Sequence, residues 1–268
     1  MLVPILTLSI LGLLFGIGLS LAFKVFKVEE DPNIGKILEF LPGANCGACG
    51  YAGCFGLAEA IAKGKASPIS CAPANTEAKQ KISAILGKEL KEETKLVATL
   101  ICNGGGIATD KFIYQGTYSC IAANLLSGGQ KTCPYGCLGF GDCEKVCPFG
   151  AIYIDRDKQL PVINETKCTA CGLCIKACPK KILVLRPMDK KIYVMCNSLD
   201  KGFLVSKYCK NGCIGCLKCE KVCPSDAIHV KNNLALIDYA KCTQCGECVK
   251  VCPTKVIHPS NTLLKEKD

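Results

Sequence analysis

Four cysteine runs that end in Cys-Pro occupy the second half of the chain and constrain its fold more than any other feature. Three of them share the spacing C-x2-C-x2-C-x3-C-P, and they begin at Cys168, Cys213 and Cys242. The fourth run is wider, with the order Cys133-x3-Cys137-x5-Cys143-x3-Cys147 before a proline. This spacing is typical of paired bacterial-type [4Fe–4S] clusters, so each run is predicted to wrap around iron and sulfide.

Cysteine accounts for 24 of the 268 residues, a density that has two common explanations. In a short secreted chain it would indicate disulfides, but the regular C-x2-C spacing favours metal. Two histidines are too few to be general ligands, and the absence of Trp argues against a large conventional core. Each cluster is therefore predicted to act as the core of a small lobe, so that cluster binding contributes to folding.

The formal net charge of +10 counts every thiol as neutral. A [4Fe–4S] cluster with four thiolates carries about −2 when oxidised, so five clusters would bring the chain to about zero. The basic pI therefore gives no support to nucleic-acid binding. The lysines are interpreted either as local compensation for cluster charge or as a docking surface for an acidic partner.

An uncharged apolar stretch runs from Leu2 to Phe23 and is followed by Lys24 and Lys27. At about 1.5 Å per residue it is long enough to cross a bilayer, and residues 1–26 are predicted to be a transmembrane anchor. A signal peptide or a buried helix is the alternative, disfavoured by the lack of a basic segment before the stretch. The positive-inside rule predicts a single-pass protein of the cytoplasmic (inner) membrane with the bulk of the chain on the cytoplasmic side. Without an ionisable residue, the stretch is not expected to translocate ions alone.

A different cysteine motif precedes the runs, in a unit predicted to span residues 28–88. Its four candidate ligands are Cys46, Cys49, Cys54 and Cys71. The pattern from Phe55 to Lys63 is helical, and Gly64 is its expected cap. Four cysteines suffice for one [4Fe–4S] cluster. Zinc is the alternative, although zinc sites usually show two C-x2-C pairs or a pair of histidines.

The rest of the chain is predicted to form two tandem ferredoxin-like units, residues 89–190 with a connector and residues 191–268. In every run an apolar residue follows the last cysteine by five positions, at Ile152, Leu183, Ile228 and Ile257. This repeat, with a short helix entered at the last cysteine, is typical of duplicated ferredoxin halves. Strands are predicted at 96–101, 152–155, 160–163 and 234–237. The predicted fold is small α+β: an N-terminal transmembrane helix, a four-cysteine [4Fe–4S] domain and two tandem bacterial 2[4Fe–4S] ferredoxin-like domains.

In this type of run the fourth cysteine binds the other cluster of the pair, a rule that predicts four ligand sets. The first pair of sets is Cys133, Cys137, Cys143 and Cys178, with Cys168, Cys171, Cys174 and Cys147. The second pair of sets is Cys213, Cys216, Cys219 and Cys252, with Cys242, Cys245, Cys248 and Cys223. The wide gaps of the first run leave the potential and exposure of its cluster open.

Five sites use twenty cysteines and leave four over, namely Cys102, Cys120, Cys196 and Cys209. Four thiols are the ligand count of a sixth cluster. The alternatives are thiols without metal, because free cysteine packs well as a small apolar residue, or a zinc site or redox-active pairs. Spacing alone leaves this choice open.

The order of anchor, four-cysteine motif and two ferredoxin pairs resembles that of the B subunits of Rnf complexes. These complexes are membrane-bound, ion-translocating ferredoxin:NAD oxidoreductases. The resemblance covers essentially the whole chain and is most specific from Cys46 to Cys71 and in the text CPYGCLGFGDCEKVCPFGAI from Cys133. Two ferredoxin pairs rather than one resemble the longer form of the subunit found in anaerobes.

The resemblance implies an iron–sulfur electron-relay subunit of a translocase, which takes electrons from reduced soluble ferredoxin and passes them to other membrane subunits. The expected cofactors are five [4Fe–4S] clusters, or six if the remaining cysteines hold one. Flavin and NAD are expected on the partner subunits, and no catalytic residue is expected in this chain. The glycines at 104–106 agree, because they lack the G-x-G-x-x-G order and predict a loop. The coupling ion, the direction of flow and the cluster potentials are left open.

Two other functions compete with this interpretation. A zinc-stabilised binding module without a redox role would use the same cysteines. An iron–sulfur subunit of a corrinoid or carbon-monoxide enzyme would share the N-terminal motif type, but it would need a large α/β domain for which the chain has no room.

Overall fold

The structure is a computed structural model that describes residues 2–25, 31–87 and 94–259. The helices of this part are α1 Leu2–Val25, α2 Pro32–Phe40, α3 Gly53–Ala62, α4 Thr76–Ile85, α5 Cys120–Leu125, α6 Asp142–Lys145, α7 Leu173–Ala177, α8 Gly202–Tyr208, α9 Lys218–Lys221 and α10 Glu247–Val251. The strands are β1 Leu96–Leu100, β2 Ile152–Asp155, β3 Leu160–Ile163, β4 Leu183–Pro187, β5 Ile192–Val194, β6 Ile228–Lys231, β7 Leu234–Ile237 and β8 Ile257–Pro259. The predicted basic residue Lys27 and the predicted limits at residues 26, 28, 88, 89 and 268 lie outside the described residues.

Helix α1 has the length and composition that a membrane-spanning helix requires. Its 24 residues extend for about 36 Å, more than the roughly 30 Å of a bilayer hydrocarbon core. None of its apolar window from Ile5 to Lys24 is buried inside the protein. An apolar surface all around a helix of this length needs a partner outside the described chain, and lipid is the partner that its composition suits.

The N-terminal unit is a small packed group of the helices α2, α3 and α4. The fully buried side chains of Ile37, Leu57, Ile61 and Ile82 form the centre of its core. The predicted helix runs from Phe55 to Lys63. Helix α3 begins two residues earlier, at Gly53, and ends one residue earlier, at Ala62. The predicted cap is confirmed, because Gly64 follows α3 with a φ of +69°, a conformation that favours glycine.

The two ferredoxin-like units repeat one arrangement of four short strands. Within each unit an inner antiparallel hairpin, β2–β3 or β6–β7, is accompanied by an outer antiparallel pair, β1–β4 or β5–β8. The apolar residues predicted five positions after each run begin strands β2, β4, β6 and β8, and all are buried: Ile152, Leu183, Ile228 and Ile257. The predicted internal repeat and the predicted strands are confirmed.

The short helix of each run lies at the third cysteine, whereas the sequence predicted a helix entered at the fourth. Helices α6, α7, α9 and α10 each contain the third cysteine of a run, and each ends before the fourth. Cys178 and Cys252 follow α7 and α10 in extended backbone, with ψ values of 110° and 112°. Proline comes next at both places, and it disfavours helical backbone in the residue before it. The fourth cysteine therefore leaves the helix and can reach a neighbouring site.

The two ferredoxin-like units share one continuous core. Buried residues of the first unit, such as Leu183, belong to the same apolar cluster as Met195 and Ile257 of the second. Arg186 of β4 is 1% exposed at this junction, and its guanidinium lies over the ring of Tyr193 of β5 at 5.0 Å. Its Nη2 also lies 2.6 Å from Glu165 Oε1, the kind of partner that a buried cation requires. Apolar packing and the contact of Arg186 with Tyr193 therefore join the units directly, whereas the ion pair lies within the first unit.

Candidate iron–sulfur sites

The N-terminal unit brings its four cysteines to one place. Cys54 lies in α3 and Cys71 follows a short 3-10 turn, and both are buried, whereas Cys46 and Cys49 are half-buried in the preceding loop. Burial raises the pKa of the Cys71 thiol, and the charges of the other three cysteines raise it further. The loop is held by Asn45, whose Oδ1 accepts a hydrogen bond from Cys54 N at 2.8 Å.

Gly53 permits this loop to close, and its replacement tests the N-terminal site. Its φ is +90°, and an added Cβ would lie 2.7 Å from Asn45 Oδ1. We expect Gly53→Ala to cost about 1–3 kcal/mol in backbone strain and to lower the iron content by up to about four per chain. Gly35→Ala is the matched control, because Gly35 lies in α2 with open space at its Cβ position. Equal iron contents in the two variants would contradict a role for the Gly53–Asn45 contact.

In the second ferredoxin-like unit, Cys223 lies with the run that follows it in sequence. One cavity of about 20 Å³ is lined by Cys223, Cys242, Cys245 and Cys248. The preceding run forms a group of its own: burial, together with the charges of Cys213 and Cys216, raises the pKa of Cys219 to about 11. The placement of Cys223 is the one expected from the exchange rule. The corresponding placement of Cys252, with Cys213, Cys216 and Cys219, stays a prediction.

The first unit contains a similar group around the run that begins at Cys168. Burial, together with the charges of Cys168, Cys171 and Cys147, raises the pKa of Cys174 to about 12. Backbone N–H groups also face these sulfurs, from Ala98 to Cys168 Sγ and from Ala151 to Cys147 Sγ, each at 3.4 Å. Cys147 thus lies with the cysteines of the other run of its unit.

The remaining group of the first unit differs from the sequence assignment at one position. A cavity of about 20 Å³ is lined by Cys120, Cys137, Cys143 and Cys178. Burial, together with the charges of Cys120 and Cys178, raises the pKa of Cys143 to about 12. Cys133, which spacing assigned to this set, lines a different cavity. The structure thus groups Cys120, rather than Cys133, with Cys137, Cys143 and Cys178.

The sequence contains a signal for this exchange. Cys137 precedes Cys147 by ten residues, the same separation as between the first and fourth cysteines of the other three runs. Cys137 is therefore the first cysteine of its run, and Phe140 stands where the second would be. Cys120 begins α5 and, from this separate helix, lines the same cavity as Cys137 and Cys143.

Cys133 lies with three cysteines that spacing left unassigned. A cavity of about 20 Å³ is lined by Cys102, Cys133, Cys196 and Cys209. Burial, together with the charges of the other three thiols, raises the pKa of Cys133 to about 12. The four cysteines left over by the sequence are thus divided, because Cys120 belongs to one group and the other three to another.

The cysteine groups suit a cluster better than a single ion. Among residues 2–25, 31–87 and 94–259, no three His, Cys, Asp or Glu side chains converge closely enough to hold one metal ion. A zinc ion draws thiolates to about 2.3 Å from one centre, whereas a cubane keeps them apart by its own irons and sulfides. Three cavities, each lined by four cysteines, lie between such groups of thiols. The pKa values of Cys133, Cys143 and Cys248 are raised, so iron binding at these thiols must displace protons.

Three segments of the chain match known iron–sulfur families. Residues 41–73 match the family described as "Putative Fe-S cluster". Residues 132–182 and 212–256 both match the family described as "4Fe-4S dicluster domain". The matched segments contain the N-terminal cysteine group and the four runs, so iron–sulfur clusters are the cofactors of these domains.

Similar proteins cover nearly the whole chain. The B subunit of the Na(+)-translocating ferredoxin:NAD(+) oxidoreductase complex of Acetobacterium woodii is 46% identical over 91% of this chain and 73% of its own length. The B subunit of the ion-translocating oxidoreductase complex of Methanosarcina acetivorans is 45% identical, over 87% and 88%. The B subunit of the proton-translocating ferredoxin:NAD(+) oxidoreductase complex of Clostridium ljungdahlii is 42% identical, over 88% and 83%. The chain belongs to this family of B subunits and is an iron–sulfur electron-transfer subunit of an Rnf complex.

Proposed function

We propose that the chain accepts electrons from reduced ferredoxin and delivers them to the membrane subunits of its complex through five [4Fe–4S] clusters. The observation that carries the proposal is the grouping of cysteines in fours around a cavity, with one cysteine of each group, Cys178 or Cys223, coming from the other run of its unit. The proposed ligand sets are Cys46, Cys49, Cys54 and Cys71; Cys120, Cys137, Cys143 and Cys178; Cys147, Cys168, Cys171 and Cys174; Cys213, Cys216, Cys219 and Cys252; and Cys223, Cys242, Cys245 and Cys248. Such clusters supply one-electron transfer at potentials between about −700 and +450 mV.

The protein contributes rigidity, burial and hydrogen bonds to the sulfurs. The shared core of the two units keeps their cysteine groups at constant separations. Cys143 lies close enough to Cys174 of the neighbouring group for the two charges to interact, so the paired sites are adjacent. Backbone N–H donors such as that of Ala98 stabilise negative charge on sulfur and thereby adjust the potential of each site.

The second ferredoxin-like unit is the better place for ferredoxin to approach. Cys216 and Cys245, one from each of its runs, are exposed, whereas all the other cysteines are buried or half-buried. Electron exchange with a soluble carrier requires a short distance between the redox centres, and the exposed ligands offer it. We therefore place the entry of electrons at this unit.

We also propose that α1 anchors the chain in the cytoplasmic membrane with the cysteine-rich part on the cytoplasmic side. A reducing compartment suits free thiols and clusters, and Lys24 at the end of the helix agrees with this orientation. The path of the translocated ion, the flavins and the NAD site belong to partner subunits in this proposal, because the sequence of α1 carries no ionisable residue before Lys24. The names of the relatives include both sodium and protons, so they do not select the ion.

The experiment that tests the proposal is anaerobic titration of the detergent-solubilised full chain with reduced ferredoxin. We expect the broad visible absorption of the clusters to bleach. Bleaching by ferredoxin should slow in Cys216→Ala/Cys219→Ala, which lacks a cluster of the second unit, whereas dithionite should still bleach the rest. If dithionite bleached the wild-type chain and ferredoxin did not, electrons would enter the complex through another of its subunits.

A further inference from the structure

The cavity lined by Cys102, Cys133, Cys196 and Cys209 lies between the two ferredoxin-like units. Each unit contributes two of the thiols. Cys102 follows β1 and Cys133 precedes α6 in the first unit, whereas Cys196 follows β5 and Cys209 ends α8 in the second. The cavity volume of about 20 Å³ matches that of each of two proposed cluster sites, which is also about 20 Å³.

The four cysteines occupy equivalent positions in the repeat. Cys102 and Cys196 each stand two residues after an outer strand, β1 in the first unit and β5 in the second. Cys133 and Cys209 each stand four residues before the first cysteine of the run that follows. The internal repeat therefore supplies one pair of additional cysteines per unit, and the shared core turns both pairs toward one cavity.

Two thiols in this cavity receive a backbone hydrogen bond. Cys102 Sγ accepts one from Cys137 N at 3.4 Å, and Cys196 Sγ accepts one from Ser198 N at 3.5 Å. N–H donors that converge on sulfur are typical of iron–sulfur ligands, since they stabilise the thiolate and the reduced cluster.

The wall of the cavity leaves the space between the sulfurs clear. A Cβ added to Gly104 would lie 3.6 Å from Cys209 Sγ and 3.7 Å from Cys102 Sγ. A Cβ added to Gly136 would lie 3.7 Å from Cys133 Sγ. Side chains at these two positions would therefore enter the volume that the four thiols surround.

A buried positive charge stands beside the same cavity. Lys131 is 2% exposed, its Nζ lies 3.0 Å from Asp110 Oδ1, and its charge acts on the Cys209 thiol. Asp110 is half-exposed, and Lys131 Nζ also donates a hydrogen bond to Ala108 O at 3.3 Å. A [4Fe–4S] cluster with four thiolates carries about −2 when oxidised, so a positive charge beside the cavity would suit it.

We propose that Cys102, Cys133, Cys196 and Cys209 hold a sixth [4Fe–4S] cluster at the junction of the two ferredoxin-like units. The inference rests on the proposed electron-transfer function and extends it by a site that belongs to both units. Cys137 connects it to the first unit, because its thiol lines the neighbouring site while its backbone N–H donates to Cys102.

The test is the iron, zinc and acid-labile sulfide content of the full chain, purified anaerobically in detergent. We expect about 24 irons with matching sulfide in the wild type and about 20 in Cys102→Ala/Cys196→Ala. Cys133→Ala/Cys196→Ala should lose the same cluster and no other. Cys120→Ala/Cys196→Ala, which removes one ligand from each of two sites, should perturb two clusters, each lost or converted to a three-iron form.

Two results would overturn the sixth site. About 20 irons in the wild type, unchanged in Cys102→Ala/Cys196→Ala, would mean that the four thiols bind no cluster. One zinc per chain that is lost in this variant would mean a single-ion site. If the variant failed to fold, the wild-type count would still decide. A wild-type chain with about 20 irons whose clusters are fully bleached by reduced ferredoxin would contradict the sixth site alone. A chain without iron would contradict the proposed function as well.

Discussion

Replacing Cys178 and Cys143 together by alanine should remove one [4Fe–4S] cluster, about four irons per chain, and leave the others in place. These cysteines belong to different runs, but both line one cavity. Replacing Cys178 and Cys174, which belong to the same run, should instead damage two clusters, because Cys174 lies with Cys147. Iron and acid-labile sulfide in anaerobically purified chains measure both effects.

These two double variants distinguish exchanged ligands from ligands that stay within one run. With exchanged ligands, the Cys178/Cys174 variant loses more iron than the Cys178/Cys143 variant, and with ligands that stay within one run it loses less. Cys216→Ala/Cys219→Ala, two ligands of one proposed site, provides the reference for the loss of a single cluster. If Cys178→Ala/Cys174→Ala matched this reference and Cys178→Ala/Cys143→Ala lost about twice as much iron, each run would hold its own cluster.

Deletion of residues 1–26 should move the chain from the membrane fraction to the soluble fraction and leave its iron content unchanged. The first cysteine is Cys46, so every proposed ligand remains in the truncated chain. The apolar window of α1 has no buried residue within the protein, so its removal should leave the cores intact. A spanning helix inserts almost irreversibly, and its loss should therefore abolish attachment. Cell fractionation at high salt and iron content measure the two results.

The matched control replaces α1 by an unrelated apolar helix of equal length, which should restore the chain to the membrane fraction. The truncated chain should also fail to co-purify with the other subunits of the complex. A truncated chain that stayed with the membrane at high salt would place the main attachment elsewhere, on partner subunits or on another surface of this chain.

Local spacing was sufficient for much of the fold. The apolar residue five positions after each run begins a strand in all four repeats, as Ile152 and Ile257 show. The strand positions and the cap at Gly64 could be predicted for the same reason, because they depend on neighbouring residues. The short helices end before the predicted position, because proline disfavours helical backbone in the residue that precedes it and so excludes the fourth cysteine.

The sequence by itself determined the chemistry of this protein: cysteine type, number and repeated spacing specify iron–sulfur sites, whatever the path of the chain between them. Only the tertiary structure decided which thiols share a site when they come from separate segments. Cys120 and Cys133 are thirteen residues apart, yet they line different cavities. The physical reason is that spacing limits distances only within a run. The contact between Cys133 and the second unit depends on the core that the two units share, which no local pattern encodes.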